Sequence, residues 1–451
     1  MRSLPVVVVA VLLFVAPVAG GVSPAVTGGS GAGTVDGVDE TPTAEAIDGS
    51  PDVTAIHSTN LTLRVLSTPP TIEPRVGHHY RDANFGTSLG LAVGEVDAAI
   101  RTETTIQRIE EAETNAERQR RILAAINEVE QDEVSLDSRQ TAAIDAHASG
   151  ELTDRELLDE LVRIAAVATE FDARLEVLDE LSEETDGFSS PGRLDELQVQ
   201  LQVYEGPVRD RALQTVRGDV DDTEIRIESG PNAVVLAMIE DEEYVRESFR
   251  RDRWDRGGGS LSSEAAIDIA VASYPETTEL REPDAFGAGS VQRITVPHEF
   301  GTLRAFVSGG TEQVFVEHQR MDIDRFPDME TASLTEDGFN VTVNRSYAGG
   351  PVTVIVTDDE TGDPVSDITV TKSASGGDSE PIGTTDENGV VRTLSPTEPY
   401  RITVIDEPRV AIMDGIQPIE LPRLTDDVDG SDDTDDVDGS DDTDDIDDSD
   451  G

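Results

Sequence analysis

Six histidines (His57, His78, His79, His147, His298 and His318) are the first candidates for chemistry in this chain. Imidazole serves both as a metal ligand and as a general base near neutral pH. Their spacing yields neither the H-E-x-x-H pair nor any other two-ligand helical arrangement. Adjacent side chains point apart on an extended strand, so His78-His79 is expected on a surface loop rather than around a metal. Gly257-Gly258-Gly259 is not followed by the Lys-Ser/Thr of a phosphate loop, and a hairpin tip is expected there. No G-x-S-x-G elbow occurs. Cysteine is absent, which removes disulfides, thiolate nucleophiles and thiolate metal sites. Asp427-Val428-Asp429-Gly430 echoes part of a calcium loop without its D-x-D-x-D-G spacing or closing Glu. The sequence therefore predicts no catalytic residue, no cofactor, no metal site and no enzyme.

Residues suited to binding are easier to find. Arg246, Arg250, Arg251, Arg253 and Arg256 crowd around Trp254, the only tryptophan. Guanidinium forks beside an aromatic face suit an acidic polysaccharide or an acidic envelope glycoprotein. The same arginines could instead pair with Glu247, Asp252 and Asp255 along the chain. Three N-x-S/T triplets, at Asn60, Asn340 and Asn344, are candidate glycan acceptors in an exported chain. Asn340 and Asn344 are two strand periods apart and are expected on one face.

The charge inventory says where such a chain would work. Against 94 Asp+Glu stand 34 Lys+Arg, and Lys372 is the only lysine, for a formal charge of −60. Self-repulsion of that size destabilises a compact state at ordinary ionic strength; at about 1 M salt the Debye length is only about 3 Å. The composition thus predicts a halophilic protein, and its sign argues against nucleic acid as a partner. Met1-Arg2, the apolar run Leu4–Ala19 and the small residues after it have the layout of a secretory signal peptide. Uncleaved, that run would be a short membrane anchor; no other stretch is long and apolar enough to span a bilayer.

The elements needed to position these residues divide the chain into segments. Residues 1–21 are the expected signal peptide, and the Gly/Ser/Thr-rich stretch 22–58 an expected disordered linker. Helical periodicity marks 59–218 as a helical bundle or coiled-coil domain, with one long helix carrying Val96, Ile100, Ile109 and Ile126. A shorter helix is expected at Ser138–His147. Thr153-Asp154-Arg155-Glu156 is a capping box opening a further helix, and Gly206-Pro207 predicts a kink. The period then switches to two, and 219–328 is expected to be an α+β domain. Short strands at Phe339–Val343, Val352–Thr357, Ile368–Thr371, Val390–Leu394 and Tyr400–Ile405 predict an all-β Ig-like sandwich over 338–421. Residues 422–451 hold a nine-residue repeat with five Asp in each copy, expected as a disordered acidic tail.

Three resemblances add to this. Asp358-Asp359-Glu360-Thr361-Gly362-Asp363-Pro364-Val365, followed by Thr385-Asp386-Glu387-Asn388-Gly389-Val390, resembles the carboxypeptidase-regulatory-like family of small Ig-type sandwiches. That likeness implies a non-catalytic spacer or binding module. The stretches Ala143–Leu158 and His298–Glu317 resemble segments shared by a group of haloarchaeal exported proteins of unknown function. The helix at 263–274 with the 303–318 hairpin is similar to the PepSY module, which implies as an alternative a regulator of an extracellular peptidase or a ligand sensor. The main expectation is a non-enzymatic cell-surface protein with a structural or binding role at the envelope.

If halophily is read correctly, dialysis from molar to about 0.1 M salt should unfold the chain, as followed by circular dichroism. A thermal midpoint unchanged at low salt would contradict it.

Overall fold

A computed structural model of the chain describes residues 61–81, 83–327, 329–374 and 377–424. The expected signal peptide, linker, Asn60 and Asp-rich tail lie outside them. After one leading strand come the helices, then the rest of a large sheet, and a sandwich closes the described chain, in the multidomain order expected.

Strand β1 (Arg75–Arg81) precedes helix α1 (Phe85–Glu110), α2 (Asn115–Ala148), α3 (Asp154–Glu183), α4 (Gly192–Leu201) and α5 (Pro207–Arg217). The single long helix expected from Val96 to Ile126 is two, because the Thr114 hydroxyl accepts from Glu117 N and starts α2 afresh. The short helix expected at Ser138–His147 is the last part of α2. At Thr153 the capping box forms in full: Glu156 N donates to the hydroxyl, and Thr153 N donates to the Glu156 carboxylate at 2.9 Å. The Gly206-Pro207 step is a break between α4 and α5 rather than a kink, with proline at the first turn of α5. His78 sits on β1, not on a loop, 3.3 Å from Glu224.

Strands β2 (Thr223–Gly230), β3 (Ala233–Glu240) and β4 (Glu243–Arg250) form one meander. After α6 (Ser263–Ser273) and α7 (Pro275–Leu280) come β5 (Asp284–Ala288), β6 (Val291–His298), β7 (Gly301–Ser308) and β8 (Gln313–Asp322). All eight make one antiparallel sheet in the order β1-β2-β3-β4-β8-β7-β6-β5. Alternation along β4 sorts its side chains. Val245 and Phe249 join the core that the helices share with one sheet face. Tyr244 belongs to a separate cluster on the other face, where α6 and the C-terminal sandwich pack.

The sandwich has two four-stranded sheets. One is β9 (Glu330–Glu336), β10 (Phe339–Arg345), β11 (Pro351–Asp358) and β14 (Val390–Leu394). The other is β12 (Thr369–Ala374), β13 (Glu380–Thr384), β15 (Tyr400–Asp406) and β16 (Arg409–Ile416). Valines 341, 343, 354 and 356 meet Val370, Ile402, Val404 and Met413 between them. The Asp386–Gly389 turn is pinned by the Asp386 carboxylate, which accepts from the N–H groups of Asn388 and Val390, each at 2.9 Å. A Cβ at Gly389, whose φ is +73°, would meet Val356 O at 2.3 Å.

Two buried ion pairs tie these layers to the sheet. Glu247, facing the helices, accepts from Arg209 Nε at 2.7 Å and from Val208 N at 3.1 Å. Arg209 also donates to Gln140 and to Tyr204 O, both at 2.7 Å. On the opposite face Glu317 pairs with Arg246 and accepts from Tyr274 Oη at 2.7 Å and Leu66 N at 2.6 Å. Arg246 donates to Leu66 O, Arg250 to Ser67 O and Gln319 to Arg64 O. These bonds hold residues 64–67 across the sheet. Residues 422–424 return beside them: Val65 N donates to Pro422 O, and Val65 and Arg423 form a parallel bridge.

Glu247→Ala would strand the Arg209 guanidinium and two helix N–H groups without water. Such a loss costs about 3–5 kcal/mol, and a matching fall in chemical-denaturation stability is expected. Glu117→Ala, on a solvent-accessible i,i+4 pair with Arg121, should leave that stability essentially unchanged.

Candidate functional site

The arginines around Trp254 do not form a surface patch. Arg246, Arg250 and Arg253 are buried, and Trp254 is stacked on Phe315 with ring centroids 4.9 Å apart. Arg250 holds Asp252, and Arg253 donates weakly to Val314 O. Arg251 lies over the Trp254 ring and pairs with Asp137 at 3.1 Å. Arg256 covers the same ring, centroid 4.9 Å away, and pairs with the fully buried Glu133, which also accepts from Tyr204 Oη. The binding reading of these residues is corrected on that ground: their guanidinium groups are consumed inside the fold. Of the neighbours along the chain, Asp252 supplies a carboxylate to this group. Glu133 and Asp137 come from α2, and Glu317 from β8.

Asn340 and Asn344 share the outward face of β10. Asn344 accepts from Thr331 Oγ1 at 2.8 Å, and the hydroxyl of Ser346, the third residue of its triplet, is buried on Pro351 O.

A different set of cations lines an open cavity. At the α4–α5 junction a groove of about 390 Å³ opens between the helices and β6, β7 and β8. That is within the range of small-ligand sites. Register brings its floor together: Arg304 stands opposite His318 on β8 and opposite Thr295 on β6, while Thr302 faces Arg320. Arg293, Arg304, His318 and Arg320 therefore line the floor, and Glu205 and Asp210 line the helical wall.

The three arginines differ in how they are held. Arg320 is shared by Glu240 and Glu243, at 3.0 Å each. Arg293 donates to Gln202 at 2.6 Å and lies over the Phe286 ring at 4.8 Å, while its buried Nε has no hydrogen-bond partner among the described residues. Arg304 makes neither a hydrogen bond nor an ion pair among the described residues. His318 is buried; burial, then the nearby Arg209 and Arg304, push its pKa down to about 3, so it is neutral, with Nδ1 unpartnered among the described residues. Burial raises Glu205 to about 7, helped by Asp172 and Asp210 and opposed by the Thr169 hydroxyl and Arg304. Burial raises Asp210 against the pull of Arg320 and Arg209. The groove thus offers spare donors to an anion, together with a carboxyl that changes charge near neutrality.

Sequence reasoning missed this group. Histidine spacing addresses only metal binding, whereas Arg293, Arg304 and Arg320 each precede an apolar residue, Ile294, Ala305 and Met321, that faces the other side of the sheet. That signal was present, but strand pairing is needed to bring the three to one place. Among the described residues, no three His, Asp or Glu side chains converge as metal ligands, and no helix is long and apolar enough to cross a membrane.

Comparison with known families follows the same segments. Residues 1–221 match a domain of unknown function, DUF7096, and residues 225–327 match a family of unknown function, DUF7094. Residues 330–412 match the archaeal fibronectin-III type-like domain. The C-terminal module is therefore a fibronectin-III-like member of the Ig-type sandwiches, where the sequence had resembled the carboxypeptidase-regulatory-like group. No curated protein and no solved structure matches the chain. Two segments of unknown function followed by a fibronectin-III-like domain fit a non-enzymatic binding or structural protein.

Glu205 makes the groove sensitive to pH. Its folded pKa, about 7, lies above the ordinary 4.5, so the folded state binds the proton more tightly. Its contribution to stability is full below about pH 4.5 and is lost as pH rises through about 7. Glu205→Gln should flatten the fall of the thermal midpoint across that window; an identical slope in the variant would refute the assignment.

Proposed function

We propose that this chain is a non-enzymatic, exported binding protein of a halophile's envelope, and that the groove over β6–β8 takes a carboxylate-bearing sugar unit of an acidic polysaccharide. One observation carries the reading. In a chain with 94 acidic residues, a cavity of ligand size is lined by three arginines, and one of them, Arg304, has no bonded partner among the described residues. Guanidinium pairs well with carboxylate, and a neutral buried imidazole beside it adds a hydrogen-bonding group without adding charge. An acidic partner of this kind would meet Arg293, Arg304 and Arg320 rather than the arginines around Trp254.

The setting is supported by composition. The apolar run Leu4–Ala19 has the layout of an export signal. The fibronectin-III-like domain suits a spacer that holds a binding module away from a surface. The only lysine, Lys372, is buried with Nζ on Thr393 Oγ1 and Leu394 O, at 2.8 and 2.9 Å. Every surface cation is therefore arginine, in keeping with molar salt.

Calorimetric titration with oligogalacturonate in about 1 M KCl tests the reading. The chain should bind it and not a neutral oligosaccharide of the same length, and Arg304→Gln should weaken binding roughly tenfold or more. Equal binding of the neutral sugar, or no effect at Arg304, would refute it.

A further inference from the structure

Helix α1 is apolar on two sides. Leu91, Thr105 and Ile109 face the core. On the far side Phe85, Leu89, Val93, Val96 and Ile100 are 83%, 52%, 61%, 60% and 59% exposed. At about 100° per residue these five fall within an arc of about 80° along some 22 Å of helix. Scattered exposed aliphatics need no explanation, whereas a continuous stripe of five does. From Phe85 to Ile100 only Glu95 and Asp97 are charged, in one of the most acidic kinds of chain.

Glycines run alongside the stripe at positions 86, 90 and 94. A Cβ at Gly90 or Gly94 would have no atom within 4 Å, and one at Gly86 would meet only the Asn84 side chain at 3.4 Å. Nothing among the described residues requires them, although glycine weakens a helix interior relative to alanine. Their use is close approach by another backbone.

We propose that α1 is the seam of a homodimer, in which two copies pack antiparallel over Phe85, Leu89, Val93, Val96 and Ile100. Three observations select a second copy as the occupant. The stripe exposes roughly 600 Å² of side chain, so two copies bury about 1,200 Å², where specific interfaces begin. Its spacing of four, four, three and four is nearly unchanged on reversal. A two-fold axis beside Val93 therefore sets Phe85 against Ile100 and Leu89 against Val96, as an isologous contact needs. Finally, both nearby carboxylates are neutralised within their own copy, Asp97 by Arg101 at 2.7 Å and Glu95 by Arg217. Identical copies can then meet without unpaired like charges at the seam. Salt that screens the remaining charge and strengthens apolar burial favours the pair.

Sedimentation equilibrium in about 1 M KCl should give twice the 48.4 kDa chain mass. Val93→Glu should weaken dimerisation by roughly a hundredfold or more with an unchanged circular-dichroism midpoint, and Leu123→Glu, on the exposed side of α2, should leave it intact. Because the chain has no cysteine, Val93→Cys should oxidise to a covalent pair while Val134→Cys does not. That cross-link decides the matter should Val93→Glu fold poorly. A wild-type chain monomeric up to about 100 µM would overturn the proposal. So would a Val93→Glu variant that stays dimeric, a dimer that Val93→Cys fails to cross-link, or a monomer that instead floats with phosphatidylglycerol vesicles.

Discussion

The carboxylate of Glu247 lies where the helices meet the sheet, and much of the architecture is arranged around it. It is a charge on a central strand, turned toward the helical core, and burial alone would drive it neutral. Arg209 and the first N–H groups of α5 keep it satisfied, combining a buried ion pair with an anion at a helix N-terminus. Gly206 is required there for space rather than for backbone angle: a Cβ would sit 1.9 Å from the Glu247 oxygen. Because α5 must begin at this point, Arg209 reaches Gln140 on α2, and Glu205 and Asp210 fall on either side of the junction as the wall of the groove. The groove is thus a by-product of the anchor.

Much of the fold was legible because its signals are local. Thr153 and Glu156 are three residues apart, the helical seam from Leu157 to Leu178 repeats within one helix, and Asp386–Gly389 closes on itself. What escaped depends on residues far apart in the chain. Thr114 interrupts a run of aliphatics that otherwise continues through Ile126. Strand β1 precedes five helices and pairs with β2 some 150 residues later. The arginines near Trp254 looked like a surface because their partners are distant: Glu133 and Asp137 precede them by more than a hundred residues, and Glu317 follows by about seventy. The groove was hidden for the same reason, since Arg293, Arg304 and Arg320 become neighbours only when β6, β7 and β8 pair.

Charge is partitioned by depth. A large share of the guanidinium groups near the sheet are buried on carboxylates, while the outside carries the excess acid. Exposed pairs such as Arg101–Asp97 lose most of their attraction in molar salt, whereas pairs shielded from solvent, such as Arg246–Glu317, keep theirs. Salt therefore removes the surface repulsion that opposes folding and leaves the interior attraction that supports it. Lys372 follows the same rule: a strongly hydrated ammonium is kept off the surface and spent on the sandwich interior, close to Glu224 of the large sheet.

The bridge between Val65 and Arg423 has a mechanical consequence. The two segments run in the same direction, so the incoming chain at residue 61 and the outgoing chain at residue 424 leave opposite ends of the contact. Tension applied between those points slides the segments past one another and strains their hydrogen bonds together, as shear, rather than opening them one at a time. Val65 N on Pro422 O, Arg64 on Arg423 O and Arg423 on Ser67 and Thr68 would share that force. A pull transmitted along the chain would thus pass through a short clamp behind the sheet and bypass the groove on its front.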